Sequence, residues 1–390
     1  MRIIRLQLSS FRNLGELLWE PDGQFNIISG DNAQGKTNLI ESVYLLATLK
    51  SFRTQRNREL VAWGESQATA ATIVERREVV RRYSIQIDKE SGGRRVAEVD
   101  GKRIKRLTEY FGGFNVLLFT PDELVVSKGE PSKRRRYLDR AVFNQSPGYL
   151  ETLRAYEEAL LNRNALLREL QQRGSANASV RAMLEAFDEP VARLASRVIV
   201  RRLHYLADIA ADFQEAHAAI TDSGQSVELR YRCSLLRKEI VVGEETFETN
   251  EDAVMECARE RLEESLEMDM ARGFSGVGPH TDDLLSLMDG RGLRRYGSQG
   301  QHRTLLLALK LAEMVHLERK LDFVPILLLD DVSSELDQGR GRRFLERVEQ
   351  AGGQVFVTTT DPALVKPDGR YARWEIENGS VRRLKSGGKS

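Results

Sequence analysis

The pattern of apolar positions changes character along the chain. Over residues 1 to about 145 they come in short, strand-like runs: Ile3-Ile4 with Leu6 and Leu8, then Phe25-Asn-Ile-Ile-Ser29, then Arg82-Tyr-Ser-Ile-Gln-Ile-Asp88. Alternation, or a compact apolar run of this length, predicts strands. A single helical pattern sits among them, at Leu39, Ile40, Val43, Tyr44, Leu46 and Ala47, and the glycine pairs Gly92-Gly93 and Gly112-Gly113 mark turns. From about 149 to 217 the spacing becomes that of helices. Leu153, Tyr156, Leu160, Leu167 and Leu170 form one stripe, with Arg163 inside it; after the polar break Gly174–Ser179 a second runs through Val180, Leu184, Phe187, Val191, Leu194 and Val198. Pro190 predicts a kink or a break near the start of the second helix. The two stripes fit an antiparallel helical hairpin with arms of roughly 35 Å, and equally the core faces of packed helices. Val227–Cys233 then reads as a strand and 251–271 as a helix. From Gly273 onward a glycine-rich turn, a long helix, a buried strand, a helix and a strand follow, the alternation of an α/β layer. The expected organisation is therefore 1–145, a mostly helical insertion over 146–272, and 273–385, with a short disordered tail at 386–390.

Composition narrows the class. Lys and Arg number 59 against 58 Asp and Glu, so any contact with a polyanion has to come from local basic patches rather than from net charge. With 41% hydrophobic and 30% charged residues the chain is of the soluble globular kind. No apolar run reaches the ~18–20 residues of a membrane span, and the N-terminus lacks the apolar core of a signal peptide. Two cysteines, Cys233 and Cys257, are too few for a disulfide framework or a four-cysteine metal site; free buried thiols of a reducing cytoplasm are expected, although one bridge is possible in number.

Candidate chemistry begins at Gly30-Asp31-Asn32-Ala33-Gln34-Gly35-Lys36-Thr37, directly after the strand ending Ile27-Ile28-Ser29 and directly before the first helix. This is G-x-x-x-x-G-K-[ST] in the strand–loop–helix setting the pattern requires. Glycines let the backbone approach phosphate oxygens and turn N–H groups toward them. Lys36 supplies a point charge to the β- and γ-phosphates, Thr37 a hydroxyl to Mg²⁺, and the helix start its positive dipole end. Far downstream, Phe323-Val-Pro-Ile-Leu-Leu-Leu ends in Asp330-Asp331. Asp330 is placed to hold Mg²⁺ opposite Thr37, and Asp331 to orient or deprotonate the attacking water. A third element, Ser298-Gln-Gly300-Gln301, opens an apolar-faced helix about 30 residues before that strand. A serine and a free glycine amide at a helix start make an anion site; a polar turn that merely caps the helix is the plainer reading. Ser298, Gly300 and Gln301 stand where ABC-type ATPases carry their signature loop, and Ser333–Asp337 resembles the loop that follows their metal aspartate. In those heads the signature loop faces the nucleotide of a second subunit. One phosphate loop and one signature loop per chain thus imply an ATP-dependent homodimer with twofold symmetry.

Taken together, these residues resemble the RecF family of recombination-mediator and gap-repair ATPases, relatives of the SMC proteins. The resemblance rests on Phe11-Arg-Asn13, Gly30–Thr37, Lys50-Ser-Phe-Arg-Thr54, Phe119-Thr-Pro-Asp122, Lys128-Gly-Glu-Pro131 with Arg134-Arg135-Arg136, Gly278–Asp283, Ser298–Gln301 and Leu329–Asp337. It implies an α/β, ABC-type ATPase head with a mixed sheet and flanking helices, interrupted by an α-helical hairpin-like arm. It further implies a cytoplasmic protein that binds ATP and DNA and acts with RecR and RecO to place RecA on single-stranded gaps, in replication restart and SOS induction. Asp331 stands where transporter and SMC heads carry Glu; the shorter reach predicts slow, DNA-stimulated hydrolysis that resets a switch. No histidine follows the strand Val355–Thr359, and Thr360 or Asp361 occupies the region where transporter heads place one.

Basic residues cluster at Arg53 and Arg56, at Arg103, Lys105 and Arg106, and at Arg134, Arg135 and Arg136. Three such clusters in one region of a near-neutral chain predict a phosphate-binding surface for duplex, single-stranded or junction DNA. No base-reading motif is present, so backbone and shape are the expected determinants. Two other classes fit less well. An SMC-like structural tether needs far longer coiled-coil arms, and a transporter ATPase subunit fits neither the insertion nor Asp331.

Overall fold

The computed structural model describes residues 1–173, 178–221, 224–243, 250–331, 338–363, 365, 367 and 369–384, with the side chains of 173, 178–181 and 338 left out. The chain divides into two compact units. One comprises Met1–Glu123, Ala219–Asp222 and Leu307–Ser390, the other Leu124–Ala218 and Ser223–Leu306.

The first unit is built on two six-stranded sheets. In one, β3 (Phe25–Ser29), β8 (Val116–Phe119), β13 (Ile326–Leu329), β14 (Val355–Thr359), β15 (Tyr371–Glu377) and β16 (Ser380–Leu384) lie in the order β16-β15-β3-β14-β13-β8. All neighbours are parallel except the β15–β16 hairpin. Every residue of β3, β8, β13 and β14 is buried, as continuous apolar runs must be when both faces of a parallel sheet are covered. The second sheet is antiparallel throughout: β1 (Arg2–Ser9), β2 (Leu17–Trp19), β4 (Gln67–Arg76), β5 (Val79–Asp88), β6 (Arg94–Val99) and β7 (Lys102–Arg103), in the order β2-β1-β4-β5-β6-β7. Its strands alternate buried and exposed positions, so one face meets the core and the other meets water.

Helix α1 (Lys36–Thr48) lies between the two sheets, packing on β14 and β8 of one and β4 and β5 of the other. Both ends of the sequence feed the same core. Trp19 of β2 meets Phe356 of β14 and Trp374 of β15 edge-on, at ring separations of 5.4 and 5.5 Å. These edge-to-face contacts tie the antiparallel sheet to the mostly parallel one.

The second unit holds α2 (Val125–Lys128), α3 (Pro131–Gln145), α4 (Tyr149–Arg173), α6 (Glu251–Arg272), α7 (Leu293–Tyr296) and most of α5 (Ala178–Ile220), with the antiparallel sheet β10-β9-β11-β12. Those strands are β9 (Val227–Cys233), β10 (Lys238–Val241), β11 (Asp283–Met288) and β12 (Arg291–Gly292). The long helix α8 (Gln299–Leu321) crosses from the second unit into the first, and α9 (Gln338–Ala351) belongs to the first.

Several expectations change. The region 1–145 contains a second long helix, α3, which places Arg134–Arg136 on a helix rather than in a strand-and-turn lobe. The two apolar stripes do form α4 and α5, but they pack as part of a three-helix layer. Leu167 and Leu170 of α4, Leu184 of α5 and Leu266 of α6 share one core. Arg163, the charge inside the first stripe, is fully buried and reaches Asp188 of α5 at 2.6 Å and Asp269 of α6 at 2.8 Å. A charge can occupy an apolar stripe when the neighbouring helices supply its counter-ions. Helix α5 continues through Pro190 without ending there. The division between units falls at Glu123/Leu124 and Leu306/Leu307 instead of at 145 and 273. The reason is pairing: β11 joins β9, so the segment leading to Ser298 belongs with the helical unit. Both cysteines are free, with Cys233 buried and Cys257 only partly so. The loop Ser333–Asp337 and the tail 386–390 lie outside the described residues.

Trp19→Ala removes the aromatic bridge between the two sheets. The expected cost is about 3–5 kcal/mol, read as a lower urea midpoint by circular dichroism.

Candidate nucleotide site

At the C-terminal end of β3 the chain must turn sharply and start a helix. A Cβ on Gly30 would sit 2.4 Å from the carbonyl oxygen of Ile376, and Gly35 has φ 116° and backs onto Leu14. Only glycine fits either position. Ala33 adopts the left-handed region at φ 65°, held there as its carbonyl accepts from Asn13 Nδ2 at 3.0 Å. Gln34 Oε1 accepts the amide of Asn378 at 2.7 Å, tying the loop to the β15–β16 turn. Gly35 caps α1 without a side chain, and no acidic residue stands in the first turn. The free N–H groups and the positive end of the helix dipole therefore face the loop's hollow, which is an anion site.

Lys36 folds over that hollow, donating from Nζ to the carbonyls of Gly30 at 2.6 Å and Asp31 at 2.8 Å. Burial lowers its pKa, while the carboxylates of Asp331, Asp330 and Asp31 act in the opposite direction, Asp331 most strongly. Asp330, at the end of β13, is buried and accepts on Oδ1 from Thr37 Oγ1 at 3.0 Å and Thr358 Oγ1 at 2.6 Å. Burial pushes its pKa up; the two hydroxyls and the Arg53 guanidinium work against that shift. Asp331 takes a left-handed backbone, φ 51°, and its amide donates to the same Thr358 oxygen at 2.9 Å. The sheet thus brings three strand ends together: β3 through the loop, β13 through Asp330, and β14 through Thr358.

Helix α1 is braced from outside the motif. Glu41 on α1 has 0% exposure, and Arg12 grips it with two hydrogen bonds at 3.0 and 2.9 Å, while Ser51 Oγ donates to it at 2.5 Å. Asn13 accepts from Asn38 Nδ2 at 2.6 Å, and Arg53 Nη1 donates to Asn38 Oδ1 at 2.6 Å. Sequence reasoning had no role for Asn13, Glu41 or Thr358. Glu41 becomes recognisable only beside Arg12 and Ser51, which grip it, and Asn13 only through its bonds to Ala33 and Asn38. Asp361 is committed to its turn, accepting the Ala363 amide at 2.9 Å, and Thr360 is exposed.

Ser298, Gly300 and Gln301 belong to the second unit, at the start of α8. The Ser298 amide donates to Gln301 Oε1 at 2.8 Å and the Gln301 amide to Ser298 Oγ at 3.2 Å, a reciprocal capping box. The capping reading therefore describes Ser298 as it stands, and Gly300 follows with an amide in the first turn.

The basic residues separate into distinct environments. Arg53 is exposed, donates to Asn38 on α1 and acts through its charge on Asp330, so it lies at the surface beside that carboxylate. Arg134 is 3% exposed and pairs with both oxygens of Asp283 at 2.7 Å, which removes it from any DNA surface. Arg135 is half-buried and donates to the Asp282 carbonyl at 2.7 Å. Arg56, Arg103, Lys105, Arg106 and Arg136 remain exposed.

Arg12→Ala would leave buried Glu41 with only Ser51 and the more distant Arg53, at 3.6 Å, at an expected cost of about 3 kcal/mol, the lower end for a broken buried pair. Replacing both by leucine should recover most of it. Thermal unfolding of the two variants checks this.

Comparison with known proteins agrees with this geometry. The sequence profile described as the RecF/RecN/SMC N terminal domain matches residues 2–379. The DNA replication and repair protein RecF of Myxococcus xanthus (strain DK1622) is 42% identical over 366 residues, covering 94% of this chain and 92% of that protein. A solved structure of the recombination mediator protein RecF with ATP, from the RecFOR pathway, superposes with a TM-score of 0.85 at 33% identity, covering 98% and 97% of the two chains. An Smc head domain from Pyrococcus furiosus, with its extended coiled coil, shares the fold alone, at TM-score 0.54, 16% identity and coverage of 98% and 95%. With a domain profile spanning nearly its whole length and a full-length relative above 40% identity, the chain belongs to the RecF/RecN/SMC N-terminal domain family and, within it, to the RecF proteins of DNA replication and repair.

Proposed function

We propose that this protein is an ATP-operated, DNA-binding switch of recombinational gap repair, in which bound triphosphate joins two copies of the chain around DNA. The observation that carries this reading is the assembled set Thr37–Asp330–Thr358 beneath a helix N-terminus that has no acidic residue in its first turn. A hydroxyl and a carboxylate are hard oxygen donors, and two such ligands with the remainder from phosphate and water suit Mg²⁺. Bound there, the ion would neutralise charge on the β- and γ-phosphate oxygens. The chain's own residues do the rest. Backbone amides of 33–37 cradle the phosphates, and Lys36 leaves the Gly30 and Asp31 carbonyls to reach the terminal phosphate. Arg53, already positioned beside Asp330, adds a second cation.

Asp331, whose carboxylate acts on Lys36, is the residue for orienting or deprotonating the attacking water. Its short side chain fits slow turnover, so that hydrolysis ends a clamped state. Ser298 would supply the signature contact to the partner copy's triphosphate, exchanging its hold on the Gln301 amide for a phosphate oxygen. The exposed Arg56, Arg103, Lys105, Arg106 and Arg136 form the candidate contacts to the DNA backbone. RecR, RecO and RecA-type proteins are the partners of this reading, and the cytoplasm its place. Among the described residues no helix is long and apolar enough to cross a membrane.

Light scattering with and without ATP tests the clamp. The wild type should dimerise only with ATP. Lys36→Ala should lose both nucleotide binding and dimerisation. Ser298→Arg should still bind ATP as a monomer yet fail to dimerise. Dimers that form equally well without nucleotide would overturn the proposal. DNA binding by the ATP-bound form should weaken steeply between 50 and 200 mM salt, and charge removal at Arg103, Lys105 and Arg106 together should flatten that dependence.

A further inference from the structure

Three tryptophans occur in the chain. Trp19 and Trp374 are buried at 2% and 7% exposure and pack on one another, whereas Trp63 is 98% exposed. A residue that would bury more apolar area than any other in the chain stands with almost none of it covered, and the loop beneath it is firmly held. Val61 is buried and bridges to Phe11; the Ala62 amide donates to the Ser10 carbonyl at 2.9 Å. Gly64 takes φ 85° so that the Glu65 amide can close back on the Ala62 carbonyl at 3.2 Å, and Ser66 accepts the Lys89 amide at 2.9 Å. The backbone beneath the indole is thus fixed, and ordering the ring when something stacks on it costs only its two side-chain torsions.

The surroundings favour a nucleobase. Arg56 and Arg58 lie immediately before the loop and are exposed, and exposed Arg94 lies alongside, where Asn57 Nδ2 donates to the Gly93 carbonyl at 3.1 Å. Two carboxylates of these segments are engaged: Asp88 accepts from the Glu90 and Ser91 amides and the Ser91 hydroxyl, and Glu59 accepts from Thr54 and pairs with Arg56 at 3.9 Å, a contact that phosphate binding by Arg56 would exchange. Exposed Glu65 and Glu90 also border this region, at the end where Gln67 pairs with Asp88, so its basic character rests on Arg56, Arg58 and Arg94.

We infer that Trp63 is a stacking platform for an unpaired nucleobase, with Arg56 and Arg58 on the adjoining phosphates. This rests on the DNA-binding reading above and adds to it a preference for gaps and single strands. Bases inside a duplex are already stacked, so only an unpaired base presents a free face. Because the other two indoles are buried, Trp63 also reports its own occupancy through intrinsic fluorescence.

The test uses the full chain with ATP at fixed salt and three probes: a twenty-nucleotide oligo-dT, a blunt duplex, and a duplex with a single-stranded gap. Affinities come from anisotropy of labelled DNA. Tryptophan emission should fall with oligo-dT and gapped DNA and stay unchanged with blunt duplex. Trp63→Ala should abolish that response and weaken oligo-dT binding about 10-fold, with blunt-duplex affinity unaltered; Trp63→Phe should keep most of the affinity. Unaltered oligo-dT affinity in Trp63→Ala would overturn the inference and leave the indole to a protein partner, and an equal loss on all three probes would overturn it as well. Wild-type protein that binds no DNA at all would instead bring down the functional reading on which it rests.

Discussion

A buried carboxylate that has to remain useful as an anion governs this architecture. Asp330 sits at the end of an apolar strand, where desolvation favours its neutral form. Two hydroxyls, one on the helix after the phosphate loop and one on the adjacent strand, hold it in hydrogen bonds. They can do so only if β13 and β14 are parallel neighbours in the observed register and if α1 starts where Gly35 allows it. The strand order of the sheet, the glycine at the helix start and the threonine on β14 are consequences of satisfying that one group.

The same logic extends outward through buried charge. Glu41 is enclosed on α1 and is tolerated because Arg12 and Ser51, from two separate segments, meet it with good geometry. Arg163 in the helical layer, and Arg134 against Asp283, follow suit. None of these pairs is evidence of large net stabilisation, since desolvation offsets much of the Coulomb gain. What they impose is register: each misplaced partner would leave an uncompensated charge in the interior. Such pairs keep α1 and the helical layer each in one register.

How much of this was legible in the sequence follows from where the interactions are local. The phosphate loop was readable because strand, turn and helix are contiguous, so the glycines, Lys36 and Thr37 carry their geometry with them. Asp330 was readable as the polar end of an apolar run. Thr358 was not: it is one of several threonines at the end of β14, and only the parallel pairing with β13 selects it. Arg134 and Arg136 look alike in sequence, yet on α3 they point to different environments, one buried against β11 and the other in solvent. The helical stripes showed which residues face inward, but a third helix, α6, was needed to say against what.

By itself, then, the sequence determined the local chemistry. It specified a triphosphate-type anion loop, an acidic strand end, a capped helix start at Ser298, and helices and strands of the right type in the right order. Backbone sterics and periodicity act over a few residues and leave their mark in the residues themselves. The tertiary structure alone decided the long-range pairings: which threonine serves Asp330, which arginines are consumed by Glu41, Asp283 and Asp269, and which tryptophan of the three is left in water. Those outcomes depend on contacts between residues from 28 to 149 positions apart, whose energy comes from excluding water between surfaces that only the complete fold brings together.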